Sequence, residues 1–123
     1  MIAQTKSRFA LLVNAAPHGT RESRAELDVA LAALSLDFGV DVYFNGAAIL
    51  QLAGSMEPAA ALLPPGYRGW AALKDLGDAR LFAEVEWVRR CSEQGIELIG
   101  PPRGLTATEM ASHWRACDKV WSL

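Results

Sequence analysis

The chain has 123 residues, 51% of them hydrophobic and 21% charged, with a formal net charge of −2. That is the size and composition of one globular domain, able to bury roughly two-thirds of its unfolded surface without disulfide staples. The acidic balance leaves no positive field to gather nucleic acid through counterion release, and no apolar run approaches the roughly 20 residues that cross a bilayer, so nucleic-acid binding and membrane spanning are both disfavoured.

Lys6 and Arg8 precede an apolar stretch, Phe9 to Val13, that is too short for the core of a signal peptide and lacks a cleavage pattern. A cytoplasmic chain is expected, with Cys91 and Cys117 as free thiols. The run Phe9 to Asn14 reads as a buried parallel strand ending in turn residues. Ala15 to Thr20 is a loop. Ser23-Arg-Ala-Glu26 fits a capping box opening a helix whose Leu27, Leu31 and Leu34 share one face. Gly39 closes that helical region, and Val40 to Phe44 is a second strand.

Asn45-Gly46 turns the chain into a short helix over Ala47 to Ala53. Pro58, Pro64 and Pro65 make Gly54 to Arg68 an irregular surface loop. A short helix follows over Gly69 to Leu76, then a third strand over Arg80 to Val85. Glu86 to Gln94 is helical, with Gly95 in the C-cap place. Ile96 to Ile99 reads as strand four, broken by Pro101-Pro102. Thr106-Ala-Thr-Glu109 is a second capping box, for a helix to about Ala116. Lys119 to Leu123 is a last strand.

Strands alternating with helices over residues 1–123 predict a single α/β domain, a mainly parallel sheet covered by helices on both faces. In such sheets functional loops gather at the carboxyl ends of the strands. Here these are Ala15–Thr20, Asn45–Ala48 and the junction Glu84–Trp87. His18, Gly19 and Thr20 precede a helix whose backbone N–H groups suit an anion, although the Gly-Lys-Ser/Thr ending of a Walker loop is missing. The same residues also serve as an ordinary turn and cap.

Cys91 follows Arg89 and Arg90, which would lower a thiol pKa, but it sits too deep in its helix for the dipole to help. It reads either as an inert packing residue or as a weak candidate carrier. Asp118 would raise the pKa of Cys117. The pair Cys91 and Cys117 with His18 and His113 has no zinc-ligand spacing, so no metal is expected. No Ser/His/Asp triad assembles, no cofactor is called for, and His113 reads as a surface or packing residue. The four tryptophans, Trp70, Trp87, Trp114 and Trp121, suit a core or an interface. The apolar run Ala47 to Ala53 is a candidate partner surface.

Three blocks together resemble the DsrE/DsrF-like family, and within it the TusC/DsrF branch. They are Ala15-Ala-Pro-His-Gly-Thr20 with Glu26-Leu-Asp28 after it, the run Val42 to Leu52, and the ending Cys117 to Leu123. The resemblance implies a place beside two related subunits, TusB/DsrH-like and TusD/DsrE-like, in a heterohexamer. It also implies a role in passing persulfide sulfur, toward tRNA 2-thiouridine or within sulfur oxidation, with a sulfur-acceptor protein as a further partner. The family's carrier cysteine stands at the junction of strand three and the next helix. Counting back from Gly95, that position is Trp87. A tryptophan carries no sulfur, so the resemblance implies a non-catalytic subunit. The alternatives are a carrier using Cys91, or a homo-oligomer binding a small anion at His18–Thr20.

Overall fold

Residues 7–14, 21–53 and 66–122 are described by a computed structural model of the chain. In order they form β1 (Arg8–Val13), α1 (Arg21–Ser35), β2 (Gly39–Phe44), a 3-10 helix (Gly46–Leu52), α2 (Gly66–Leu76) and β3 (Ala79–Glu84). Then come α3 (Val85–Glu93), β4 (Arg103–Leu105), α4 (Ala107–Ala116) and β5 (Lys119–Ser122). The strands make one sheet in the order β4-β3-β2-β1-β5, and every pairing is parallel.

This order dictates the layers. From β1 to β4 each right-handed crossover steps in the same direction, which places α1, α2 and α3 on one face. The return from β4 to the far side of β1 reverses the step and puts α4 on the other. The buried side chains divide accordingly. Leu11, Val13, Val42, Phe44 and Leu81 point into a large cluster with Ala30 of α1, Ile49 and Leu52 of the 3-10 helix, Trp70 and Leu73 of α2, and Cys91 of α3. The alternate residues Ala10, Tyr43 and Phe82 face α4 and pack with Met110 and Trp114. Tyr43 stacks on Phe82 with ring centroids 5.1 Å apart, and His113 and Trp114 meet this pair edge-on.

That smaller layer holds two polar oddities. The Tyr43 hydroxyl and the Trp114 indole nitrogen are buried with no hydrogen-bond partner among the described residues. At its amino end lies Asp41, buried in the sheet. It accepts from the Arg8 guanidinium and, through both oxygens, from Arg80 at 2.8 Å. Arg8 also reaches Asp78.

The sequence places most elements within a residue or two, and the departures have identifiable causes. Ile96–Ile99 is not the fourth strand; Arg103–Leu105 is. Ile96 and Leu98 do turn toward the large cluster, as their alternation demands. The segment lies beside the 3-10 helix instead of in the sheet: Leu98 bridges Ala53 and the Ile99 N–H donates to the Leu52 carbonyl at 2.8 Å. Pro101-Pro102 therefore precedes the edge strand rather than ending it.

Ser23 is no N-cap, because α1 already starts at Arg21. Nor does Gly39 end that helix. The left-handed residue is Asp37, at φ 67°, and the Phe38 and Asp37 N–H groups close back on the Ala33 and Leu34 carbonyls in a Schellman motif. Gly39 is the first residue of β2, where a Cβ would overlap the Arg8 guanidinium at 2.6 Å. Gly95, by contrast, caps α3 in the same motif as the sequence indicates, with the Ile96 N–H donating to Cys91. The second capping box is also present: Thr106 accepts from the Glu109 N–H, and Glu109 accepts from the Thr106 N–H. The run Ala47–Ala53 is not an exposed patch; Ala48, Ile49, Leu52 and Ala53 are core. Gly66 to Arg68, expected in a loop, form the first turn of α2. Most of that loop, the His18–Thr20 segment and the first six residues lie outside the described residues.

Candidate functional site

Parallel strands end together, so the last residues of β1, β2, β3 and β5 share one edge of the molecule. Asn14 follows β1. Its backbone N–H donates to Glu26 Oε2 at 2.8 Å, and its side-chain amide donates to Ser122 Oγ at 2.9 Å. Asn45 follows β2 and donates to Asn14 Oδ1 at 2.8 Å. A directed chain of neutral groups, Asn45 to Asn14 to Ser122, thus runs across three adjacent strands. Beneath it, Gln51 Nε2 lies 3.4 Å from Glu26 Oε1, and the Trp70 indole N–H donates to Gln51 Oε1 at 2.9 Å. A buried carboxylate of α1, the 3-10 helix and α2 are thereby tied to the residue that follows β1.

The sequence reading missed this use of Glu26, having assigned it to a cap. The signal was available. Glu26 stands at i, i+4, i+7 spacing with Ala30 and Ala33, which are buried, so an acid on that stripe needs internal donors.

At β3 the chain passes from Glu84 straight into α3 at Val85, with Glu84 extended and making no side-chain cap. Trp87 is the third residue of that helix. Its indole edge lies against Gly46, whose φ of +51° opens the 3-10 helix; a Cβ built there would meet the indole nitrogen at 3.9 Å. The Arg90 guanidinium sits over the Trp87 ring, 5.3 Å from its centroid. The head of α3 is therefore filled by an aromatic ring and covered by a cation.

Neither thiol reaches this edge. Cys91 is the seventh residue of α3, one residue further from the helix start than the sequence reading had it. It is 3% exposed in the large cluster, and burial pushes its thiol above the ordinary range. Arg89 does not oppose that, being paired with Glu86 at 2.6 Å and Glu93 at 2.7 Å, and Arg90 is on Trp87. Cys117 lies on the other face, at the amino end of β5, with Sγ 3.9 Å from Asp41. Its thiol is also raised, by burial first and then by Asp41, with Asp118 a lesser contributor. The sheet separates the two cysteines, so they share no disulfide and no metal site. His113 packs edge-on to Phe82, 5.0 Å between centroids, on the same face as Cys117.

The sequence model of the DsrE/DsrF-like family matches residues 7–120. This chain belongs to that family. Among solved structures it is similar to the crystal structure of the ychN protein from E. coli, with a TM-score of 0.78 at 15% identity over 95% of this chain and 99% of that one. No curated protein matches it by sequence. The parallel sheet with helices on both faces is thus the DsrE/DsrF-like fold. On it Trp87 stands at the head of α3, with Cys91 one turn deeper. No described helix is long and apolar enough to cross a membrane.

Proposed function

We propose that this chain is a non-carrier subunit of a cytoplasmic sulfur-relay assembly of the DsrE/DsrF-like type. It stands beside TusB/DsrH-like and TusD/DsrE-like subunits in a heterohexamer and forms one wall of the site where a partner's persulfide is handled. Family membership supports the sulfur-relay class. The observation that carries the finer reading is Trp87. The strand-to-helix junction is intact, yet its third helical residue is an indole packed on Gly46 under Arg90. Such a wall excludes water and offers no nucleophile.

The raised thiol of Cys91 supports the same division of labour, because the thiolate is the species that accepts and passes sulfur. His18, Gly19 and Thr20 would bind an anionic persulfide on the partner or an acceptor protein. Sulfur delivered from such an assembly serves tRNA thiolation or sulfur oxidation.

The test is affinity capture of the tagged chain from its native lysate, with stoichiometry by light scattering. Recovery of two small α/β partners is expected, one bearing a cysteine at the head of the helix after its third strand. Incubation with a persulfide donor is expected to leave this chain's mass unchanged and to add about 32 Da to that partner (one sulfur atom on its thiolate). A chain recovered alone, or a persulfide on Cys91, would overturn the reading.

A further inference from the structure

The two edges of the sheet are treated differently. β4 has three residues, ends in buried Leu105, and is packed by both α3 and α4. β5 is exposed at every residue, and among the described elements it pairs with β1 alone. Val120 and Trp121 are 48% and 47% exposed and point to opposite faces, so the open edge is flanked by apolar side chains above and below. The described edge has no proline, and the one charged residue of the strand is Lys119, on the same side as Trp121. Trp121 is held in place from behind by Phe9, at 5.6 Å between centroids, and Phe9 in turn by Phe38.

We propose that β5 is the self-pairing edge of the chain: two copies join β5 to β5 antiparallel, about a two-fold axis through Val120, into one continuous ten-stranded sheet (five strands from each copy). The sequence of the edge selects this occupant. A two-fold axis normal to the sheet keeps each residue on its own face, and side chains alternate faces with period two. Lys119 and Trp121, both on the Phe9 side, then stand opposite Trp121 and Lys119 of the second copy. Each pair sets an ammonium against an aromatic ring. Val120 faces Val120 on the other side, and Ser122 faces Asp118. No like charges meet anywhere along the strand. A parallel docking of the same edge closes no symmetry and leads to open polymers. This inference stands apart from the sulfur-relay reading, because it needs neither a persulfide nor a related subunit.

Because residue 120 faces itself, charge reversal gives a decisive test. By sedimentation velocity, the wild type is expected as a particle with an even number of copies. Val120→Lys and Val120→Asp are each expected to halve it while far-UV circular dichroism is unchanged. Mixing the two variants in equal amounts is expected to restore the wild-type particle, with one lysine against one aspartate. A wild-type monomer, a variant that keeps the wild-type size, or a mixture that stays halved overturns the proposal. Should either charge prevent folding, Val120→Cys in a Cys91→Ser, Cys117→Ser background reads the same contact. Opposed strand residues lie within disulfide reach, so mild oxidation is expected to link two chains. Failure to link them overturns it equally.

Discussion

Asp41→Ala tests the electrostatic account of the sheet's amino end. Asp41 is buried and accepts one bond from Arg8 and two from Arg80. Removing one partner of a fully buried ion pair costs about 3–5 kcal/mol, because a charge is left stranded. Here the arginines are not stranded. The Arg80 side chain is 52% exposed and turns to water, and Arg8, 21% exposed, keeps Asp78. Solvent screening discounts the Arg80 share most. The loss is therefore expected at about 2–3 kcal/mol, or a fall in Tm of roughly 8–12 °C for a chain of this size. Urea titration and calorimetry measure it. A double-mutant cycle with Arg80→Met is expected to give a coupling of about 1 kcal/mol, less than the single loss because Arg80 is half in water. An Asp41→Ala variant within about 0.5 kcal/mol of wild type, the range of ordinary surface substitutions, would refute the reasoning.

Three further outcomes are expected. Cys91, as the sole thiol in a Cys117→Ser variant, reacts with alkylating reagents at pH 7 at least about a hundredfold more slowly than a free thiol, because access requires local opening and the thiolate fraction falls below a few per cent; mass spectrometry over time reads it, and reaction at the free-thiol rate contradicts the core placement. Tyr43→Phe raises stability by about 1 kcal/mol, since the hydroxyl it deletes is buried without a partner among the described residues. Burial, then Asp41, holds the Tyr43 pKa above its unfolded value of about 10, so its share of stability is complete below that pH and is lost as pH rises toward the folded value. The variant therefore also shows a shallower alkaline fall in Tm, and an unchanged slope argues against the burial. Thr106→Ala lowers stability by about 1 kcal/mol through loss of the cap. Hydrogen bonds from Thr106 hold the Glu109 carboxyl below the usual range. Its contribution is present above the unfolded pKa and disappears as pH falls through the lowered one, so wild-type and Glu109→Gln melting curves converge in acid.

Local patterns were legible in the sequence where local chemistry decides structure. The capping box at Thr106–Glu109 and the glycine cap at Gly95 are closed by residues within one turn, so the tertiary fold had little to add. The strand runs at Phe9–Val13, Val40–Phe44 and Leu81–Ala83 were visible because each is buried on both faces and reads as apolar sequence, interrupted only by Asp41. The parallel pairing followed from strand–helix alternation, and Trp87 falls in the first turn of α3 as the helix signals there indicate.

What the tertiary structure decided is where a local pattern admits two environments. Ile96 and Leu98 alternate like a strand, but the edge of β3 belongs to Arg103–Leu105, and the alternation is satisfied by packing against the 3-10 helix instead. Glu26 fits a cap by spacing, yet the helix begins earlier and turns that carboxylate inward onto Asn14 and Gln51. Ala47–Ala53 has the composition of an interface and is interior, whereas Val120 and Trp121 look like core and are edge. In each case the residues are apolar or hydrogen-bonding enough for either place. Composition fixes how much surface must leave water, and only the packing of distant segments fixes which surface it is.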